Sequence, residues 1–233
     1  MASFPTHARC VVIGCGIVGN SVAYHLGRLG WRDIVLLDKG PLPNPGGSTG
    51  HASNFIYLVD HSKEMTALTM ESVRQYTEMG VFTQSGGIEV ARTKERMQEL
   101  TRRMASAESW GIEPVSLVSP AEVRQLVPYI DESIILGGFY TPGVGVVDSL
   151  RMGTLMREHG QSSGALQVSP KTEVVGIDVE HGRVRRVRTT QGDIERTGHV
   201  ELRTFVRIQR HHPQRYRQLN PLVIAFGRRG LTG

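Results

Sequence analysis

Along the first forty residues the apolar pattern changes period twice. Cys10-Val-Val-Ile13 is apolar at every position, as a parallel strand covered on both faces is. Gly14, Gly16 and Gly19 then punctuate the chain, and Ile17–Leu29 carries Val18, Val22 and Leu26 at helical spacing. Gly30 stands where a helix end takes a left-handed cap. Asp33-Ile-Val-Leu-Leu37 predicts a second buried strand, ending at Asp38. Residues 40–52, Gly-Pro-Leu-Pro-Asn-Pro-Gly-Gly-Ser-Thr-Gly-His-Ala, are turn formers and predict a loop. Farther on, helices are expected over Ser62–Met79, with Met65, Leu68, Val73 and Tyr76 on its apolar face, and over Thr93–Trp110, with Met97, Leu100 and Met104 inward. Ser119-Pro-Ala-Glu122 predicts a capped helix start, and Asp148–His159 a further helix. Gly87–Ala91 and Ile135–Tyr140 read as strands, and Leu166–Val168 and Glu173–Ile177 as strands returning to the first sheet. Arg183–Thr189 and Gly192–Glu195 form a short meander with Gly182 and Gly192 at its turns. Its arginines 183, 185, 186 and 188 read as the solvent face of an edge strand. Met70, Met79, Met97, Met104 and Met152 read as core filling.

The opening unit carries chemistry. Strand, G-x-G-x-x-G, helix, strand and acid follow in register, which is the pattern of a dinucleotide site. Gly14 permits a tight turn, Gly16 lets the backbone approach a pyrophosphate, and Gly19 lets the helix pack close to the sheet. The helix start offers unpaired N–H groups and partial positive charge to phosphate. Asp38 lies 19 residues after Gly19, where an acid accepts hydrogen bonds from a ribose. An acid there, rather than an arginine, argues against NADP. NAD and FAD both fit this unit. In the loop that follows, Ser48 and Thr49 can donate to phosphate or ribitol hydroxyls, and Gly46, Gly47 and Gly50 allow backbone contact.

Composition narrows the class. The chain has 233 residues, 39% hydrophobic and 21% charged, so it is neither a disordered segment nor a membrane protein. Its longest apolar stretch, Cys10–Gly19, is broken by glycines and falls short of a spanning helix. No secretory signal pattern precedes it, and two cysteines make neither a disulfide framework nor a zinc site. A cytoplasmic protein without a bound metal is expected. The net charge of +5 is unevenly placed. Residues 200–233 hold seven arginines, no lysine and one acid, Glu201, whereas residues 1–199 hold 20 basic and 21 acidic side chains. The near-neutral body argues against nucleic acid as a partner. His61 and His159 occupy polar positions without an assigned role.

From residue 8 to about 199 the sequence resembles the FAD-dependent amine oxidoreductases related to D-amino acid oxidase, and among them dimethylglycine oxidase and the dimethylglycine and sarcosine dehydrogenases. The resemblance is carried by Val12-Ile-Gly-Cys-Gly-Ile-Val-Gly19, Val35-Leu-Leu-Asp-Lys-Gly-Pro-Leu42, Pro45-Gly-Gly-Ser-Thr-Gly-His-Ala52, Ser62-Lys-Glu-Met65 and Gly86-Gly-Ile-Glu-Val-Ala91. Trp110-Gly-Ile-Glu113, Leu117-Val-Ser-Pro-Ala-Glu122 and Ile135-Leu-Gly-Gly-Phe139 extend it. It implies FAD as cofactor and a methylated amine as substrate. Cofactor contacts are implied at Gly14, Gly16, Ile17, Val18, Gly19, Asp38, Lys39, Gly47, Ser48, Thr49, His51, Ala52 and Val175. In that family the His of the Ser-Thr-x-His-Ala motif carries FAD covalently through the flavin methyl group, and the matching residue is His51. Ser53-Asn54 departs from the family, where a small residue and then Gly are usual, and a side chain at Asn54 is expected to crowd the flavin.

The implied fold is α/β, a doubly wound Rossmann-like FAD-binding sheet with part of an inserted α+β substrate domain. FAD-binding segments are expected at about 8–60 and 150–199, and the insertion at about 61–149. After His199-Val200 the family motif, an apolar strand with an Ala-Gly turn, does not recur. The arginine-rich end reads as an out-of-frame continuation, so the domain is expected to be truncated and the strand Val11–Ile13 to have an open edge. Two other readings of the end stay open. One is a basic arm for nucleic acid or anionic lipid. The other is a surrogate strand at Leu222–Phe226. Most substrate-contacting residues of the family, and its folate-binding region, lie beyond the break, so no catalytic residue is named. A non-catalytic nucleotide-binding remnant and an NAD-dependent dehydrogenase are the alternatives.

Overall fold

The computed structural model describes residues 3–60, 62–181, 183–197, 205–207 and 222–225. In chain order, β1 (His7–Ala8), β2 (Cys10–Ile13), α1 (Ile17–Arg28) and β3 (Ile34–Leu37) open the molecule. There follow β4 (Phe55–Ile56), α2 (Lys63–Glu78), β5 (Phe82–Gln84), β6 (Gly87–Ala91), α3 (Lys94–Ser109), β7 (Ser116–Val118), α4 (Pro120–Leu126), β8 (Gly137–Thr141) and β9 (Gly145–Val147). The chain ends with α5 (Ser149–Ser162), β10 (Leu166–Ser169), β11 (Val174–Glu180), β12 (Arg183–Thr189), β13 (Gly192–Arg196), β14 (Phe205–Arg207) and β15 (Leu222–Ala225). Contacts divide it into two units, 1–52 with 149–233, and 53–148.

The first unit holds two sheets. One runs β10-β3-β2-β15-β14, with β2, β3 and β10 parallel, and the other runs β1-β13-β12-β11. Cys10, Val12, Ile34 and Leu36 bury one face of the first sheet with Ala23 of α1, while Val11, Val35 and Leu37 bury the other with Val184, Val187 and Ile194. Both faces are therefore covered, which is why these strands are apolar at every position. Helix α1 packs through Gly19, Asn20, Ala23 and Tyr24. Val18, expected on that face, is 50% exposed. The small Gly19 and Ala23 bring the helix against the sheet, and the buried stripe follows them instead.

Three further expectations need correction. The strand after Glu173 does not return to the first sheet: β10 does, beside β3, while β11 joins the second sheet. The arginine strand β12 is central, not an edge, lying between β11 and β13. Arg186 and Arg188 pair with Asp178, and Arg186 also with Asp193, so acids on both neighbouring strands neutralise the row. The open edge expected beside Val11–Ile13 is occupied, since β15 pairs antiparallel with β2, from Leu222 opposite Ile13 to Ala225 opposite Cys10. Of the surrogate strand's five residues, Phe226 lies outside the described residues, as do Gly182 and His61.

The second unit holds two three-stranded antiparallel sheets, β4-β9-β5 and β6-β8-β7. Its core gathers Leu58, Val59, Leu100, Ala107, Ile112, Phe139 and Val144, with Met97 and Met104 of α3 packed against it. Glu89 of β6 bridges Arg96 and Arg103 of α3, and the Arg103 Nη2 donates to the Val59 carbonyl at 2.6 Å. Ser119 and Glu122 close a reciprocal cap on α4, with Pro120 at its first position. Helix α2 departs from its expected face. Met65 and Leu68 are exposed, as is Met70, and Thr66 is the residue it buries fully.

Asn54 has φ 60°, the left-handed region that glycine adopts freely and asparagine tolerates. The backbone here therefore suits Asn as well as the Gly that the sequence resemblance implies, and the Asn54 carbonyl accepts from the Val147 N–H at 2.9 Å. Asn54→Val should destabilise the fold by about 1–2 kcal/mol, whereas Asn54→Gly should leave it near wild type. Urea unfolding of the two variants tests this, and equal midpoints would sink it.

Candidate dinucleotide-binding site

The glycine turn is held by backbone and side chains of the first unit. The Gly14 N–H donates to the Leu37 carbonyl at 2.7 Å, joining the ends of β2 and β3, and Gly14 has φ 110°. Asp38, half-buried, accepts from the Cys15 N–H through Oδ2 at 2.7 Å and from the Gly40 N–H through Oδ1 at 2.8 Å. A carboxylate has about four lone-pair sites, so both oxygens retain capacity for ribose hydroxyls. A Cβ at Gly19 would overlap the Gly14 carbonyl oxygen, so this position admits only glycine. At Gly16 it would stand 3.1 Å from Thr49 Oγ1, a close approach.

Residues 48–51 form a 3-10 turn rather than the irregular loop expected. The turn places Thr49 Oγ1 on the start of α1, where it accepts from the Ile17 N–H at 2.9 Å. One donor of the helix start is therefore met by the protein, and Thr49 keeps its hydroxyl proton for a ligand. Among the described residues the Gly16 and Val18 N–H groups have no partner, and the first turn of α1 carries no acid. An anion at this end meets open donors and the positive end of the helix.

The remaining expected positions are arranged around this turn by sequence. Lys39, Gly47, Ser48, His51 and Ala52 are exposed, and so is Val18. Val175 is 57% exposed, at an irregularity of β11 where the pairing with β12 skips from Val174 to Gly176. Its strand starts close to the acid, since the Thr172 N–H donates to the Asp38 carbonyl at 2.8 Å. The first unit thus holds an open helix start, an acid at the end of the next strand, and an exposed residue at a register irregularity of β11.

Two residues were not anticipated. Asn20 is 2% exposed and Arg157 is 5% exposed. Asn20 Nδ2 donates to the Cys15 carbonyl at 2.7 Å, and Arg157 Nη1 donates to Asn20 Oδ1 at 3.1 Å. Arg157 Nη2 donates to Thr154 Oγ1 at 2.9 Å. Burial lowers the Arg157 guanidinium below its ordinary range. Burial likewise pushes the Cys15 thiol up to about 12, with the Asp38 charge adding and the Arg157 charge opposing. The Cys10 thiol is also pushed up to about 12 by burial, so neither cysteine is a nucleophile at neutral pH. The signal was present in the pattern: Asn20 interrupts the buried face of α1, and Arg157 falls among the buried positions Met152, Met156 and Gly160 of α5.

Among the described residues no helix is long and apolar enough to cross a membrane. Comparison with known proteins identifies the site's lineage. The model of the DAO family, FAD dependent oxidoreductase, matches residues 9–206. The chain is 32% identical over 83% of its length to the mitochondrial pyruvate dehydrogenase phosphatase regulatory subunit of Mus musculus. It is 29% identical over 80% of its length to the mitochondrial dimethylglycine dehydrogenase of Rattus norvegicus. It spans 22% of the length of each of these relatives. Among solved structures, the L-proline dehydrogenase from P. horikoshii is similar with a TM-score of 0.75 and 25% identity, covering 83% of this chain and 52% of that one. A glycine turn that only glycine can build, an acid closing the next strand and a family match across both units lead to one conclusion: the chain belongs to the FAD-dependent oxidoreductases of the DAO family.

Proposed function

We propose that the first unit binds FAD with the pyrophosphate at the Gly14–Gly19 turn, and that the protein serves the oxidation of an N-methylated glycine such as dimethylglycine or sarcosine. The observation that carries the reading is the start of α1, where the Gly16 and Val18 N–H groups have no partner among the described residues and Asp38 holds the adjoining Cys15 N–H. Gly16 and Val18 hold phosphate, Asp38 orients the adenosine ribose, and the exposed backbone at Val175 is open to adenine. When bound, FAD would supply the redox chemistry, a two-electron oxidation of the substrate's N-methyl carbon. The chain's own contribution is to position the cofactor and exclude water from its phosphates. A cytoplasmic location accords with Cys10 and Cys15, neither of which is in a disulfide.

Adding FAD to the apoprotein should give a bound flavin spectrum that ADP displaces. A spectrum identical to free FAD, with no ADP competition, would overturn the reading. Anaerobic bleaching of the flavin band by dimethylglycine or sarcosine then tests the substrate class.

His51 ends the 3-10 turn and is exposed, so its imidazole is open to covalent attachment of the flavin. Such a bond would join the imidazole nitrogen to the flavin methyl carbon, with the methyl hydrogen and the imidazole N–H given up and dioxygen taking the two electrons and two protons. After acid precipitation, flavin should stay with the wild-type pellet and pass to the supernatant for His51→Ala. Flavin in the wild-type supernatant would rule out the bond. A second reading, nucleotide binding without turnover, draws on the similarity to a phosphatase regulatory subunit. It predicts bound flavin that neither amine bleaches.

A further inference from the structure

The peptide between Cys15 and Gly16 is trans, so its carbonyl and its N–H point in opposite directions. The carbonyl is drawn inward by Asn20 Nδ2 at 2.7 Å, which leaves the Gly16 N–H directed outward, and that N–H has no partner among the described residues. Asn20 does not choose this orientation alone. Its amide could present either oxygen or nitrogen to the turn, and Arg157 decides, because a guanidinium only donates and so claims the amide oxygen. The α5 residue facing the amide is Gly153, where an added Cβ would lie 2.7 Å from Asn20 Nδ2. Glycine there leaves room for the side chain between α1 and α5. Arg157 hydrogen-bonds only to the neutral Asn20 and Thr154 among the described residues, and Glu158 acts on it through its charge without a hydrogen bond, so no carboxylate pairs directly with the buried guanidinium. Burying a guanidinium without a carboxylate is costly for a fold that uses it only as packing.

We propose that Asn20 and Arg157 form a clamp that sets the Cys15–Gly16 peptide so that the Gly16 N–H donates to the pyrophosphate of the bound nucleotide. They are positioning residues, acting through the peptide they hold. The proposal rests on the dinucleotide reading of the turn and adds the side chains that pre-organise it.

Asn20→Asp separates positioning from packing. The aspartate has the same shape, keeps the acceptor for Arg157 and gives its charge a partner. It lacks the donor, and sets an anionic oxygen against the Cys15 carbonyl. A packing role predicts equal or higher thermal stability and unchanged ligand affinity. The clamp predicts weaker binding of ADP by about 10- to 100-fold, the loss of one charge-assisted hydrogen bond, while adenosine, which has no pyrophosphate, binds as to wild type. Titration of the full-length chain with ADP and adenosine reads this directly. ADP affinity equal to wild type overturns the clamp and leaves the dinucleotide reading intact. Failure of the wild type to bind either FAD or ADP overturns both. Should the variant not fold, amide exchange in the wild type decides. ADP should slow exchange of the Gly16 N–H at least tenfold and adenosine should not, and an unchanged rate with ADP overturns the proposal.

Discussion

Gly19→Ala is expected to abolish flavin binding and to destabilise the first unit by about 3 kcal/mol. The added Cβ overlaps the Gly14 carbonyl oxygen, a backbone atom that has little freedom to move. Its peptide is fixed on one side by the Cys15 N–H bond to Asp38 and on the other by the Gly14 N–H bond to Leu37. Relief must therefore come from α1 lifting off the sheet. That opens the packing of Ala23 on Cys10, Val12 and Leu36 and carries the helix start away from the phosphates. Gly47→Ala is the control, since nothing lies within 4 Å of a Cβ there and the backbone is already extended. Its stability should be unchanged or slightly raised. Thermal unfolding with a flavin titration measures both, and a Gly19→Ala protein that binds FAD normally would refute the packing argument.

The second large effect belongs to Asp38→Ala. The carboxylate accepts two backbone N–H groups, and the proposed site has it accept ribose hydroxyls as well. Removing it frees the Cys15 and Gly40 donors and should cost about 2–4 kcal/mol of stability, since a hydrogen bond to a charged group contributes about 1.5–3 kcal/mol and these donors regain some water. FAD affinity should fall by about 100-fold or more, because the turn and the ribose contact are lost together. Adenosine separates the contributions. It has the ribose without the pyrophosphate, so its binding should weaken with Asp38→Ala and stay constant with Asn20→Asp. Adenosine affinity that survives the loss of Asp38 would confine this residue to shaping the turn.

The parts of the structure legible in the sequence are those whose partners lie nearby along the chain. The β2–α1–β3 unit could be read because its strands are apolar throughout and its glycines sit between two clear periods. The cap of α4 at Ser119 is equally local, and the helix starts expected at Ser62 and Thr93 prove to be caps of α2 and α3. The short strands β1, β4, β5, β7 and β9 were not visible. Two to three residues carry no period, and their pairing depends on distant partners such as Phe55 opposite Val146. The same limit misplaced β11 and β12, since alternation shows which face is buried but not which sheet a strand joins. Within the site, glycines and Asp38 could be read from spacing. Asn20 and Arg157 could not be paired, because they stand 137 residues apart and neither belongs to a motif. Thr49 is expected from the sequence as a ligand donor, yet its role in capping α1 depends on a turn that its neighbours in sequence do not announce.

The division of the chain has a consequence for synthesis. Residues 53–148 are continuous, and every strand of their sheets is present once β9 has been made. The first unit is split, and β3 has β2 on one side but must wait for β10 to emerge on the other. On the ribosome the second unit can reach its native form first, while β2 and β3 stand as an unfinished pair, covered by α1 on one face and bare on the face that Val184, Val187 and Ile194 later bury. The interval between β3 and β10 is therefore the period in which a nascent chain is most exposed to association with its neighbours, and in which a chaperone has most to protect.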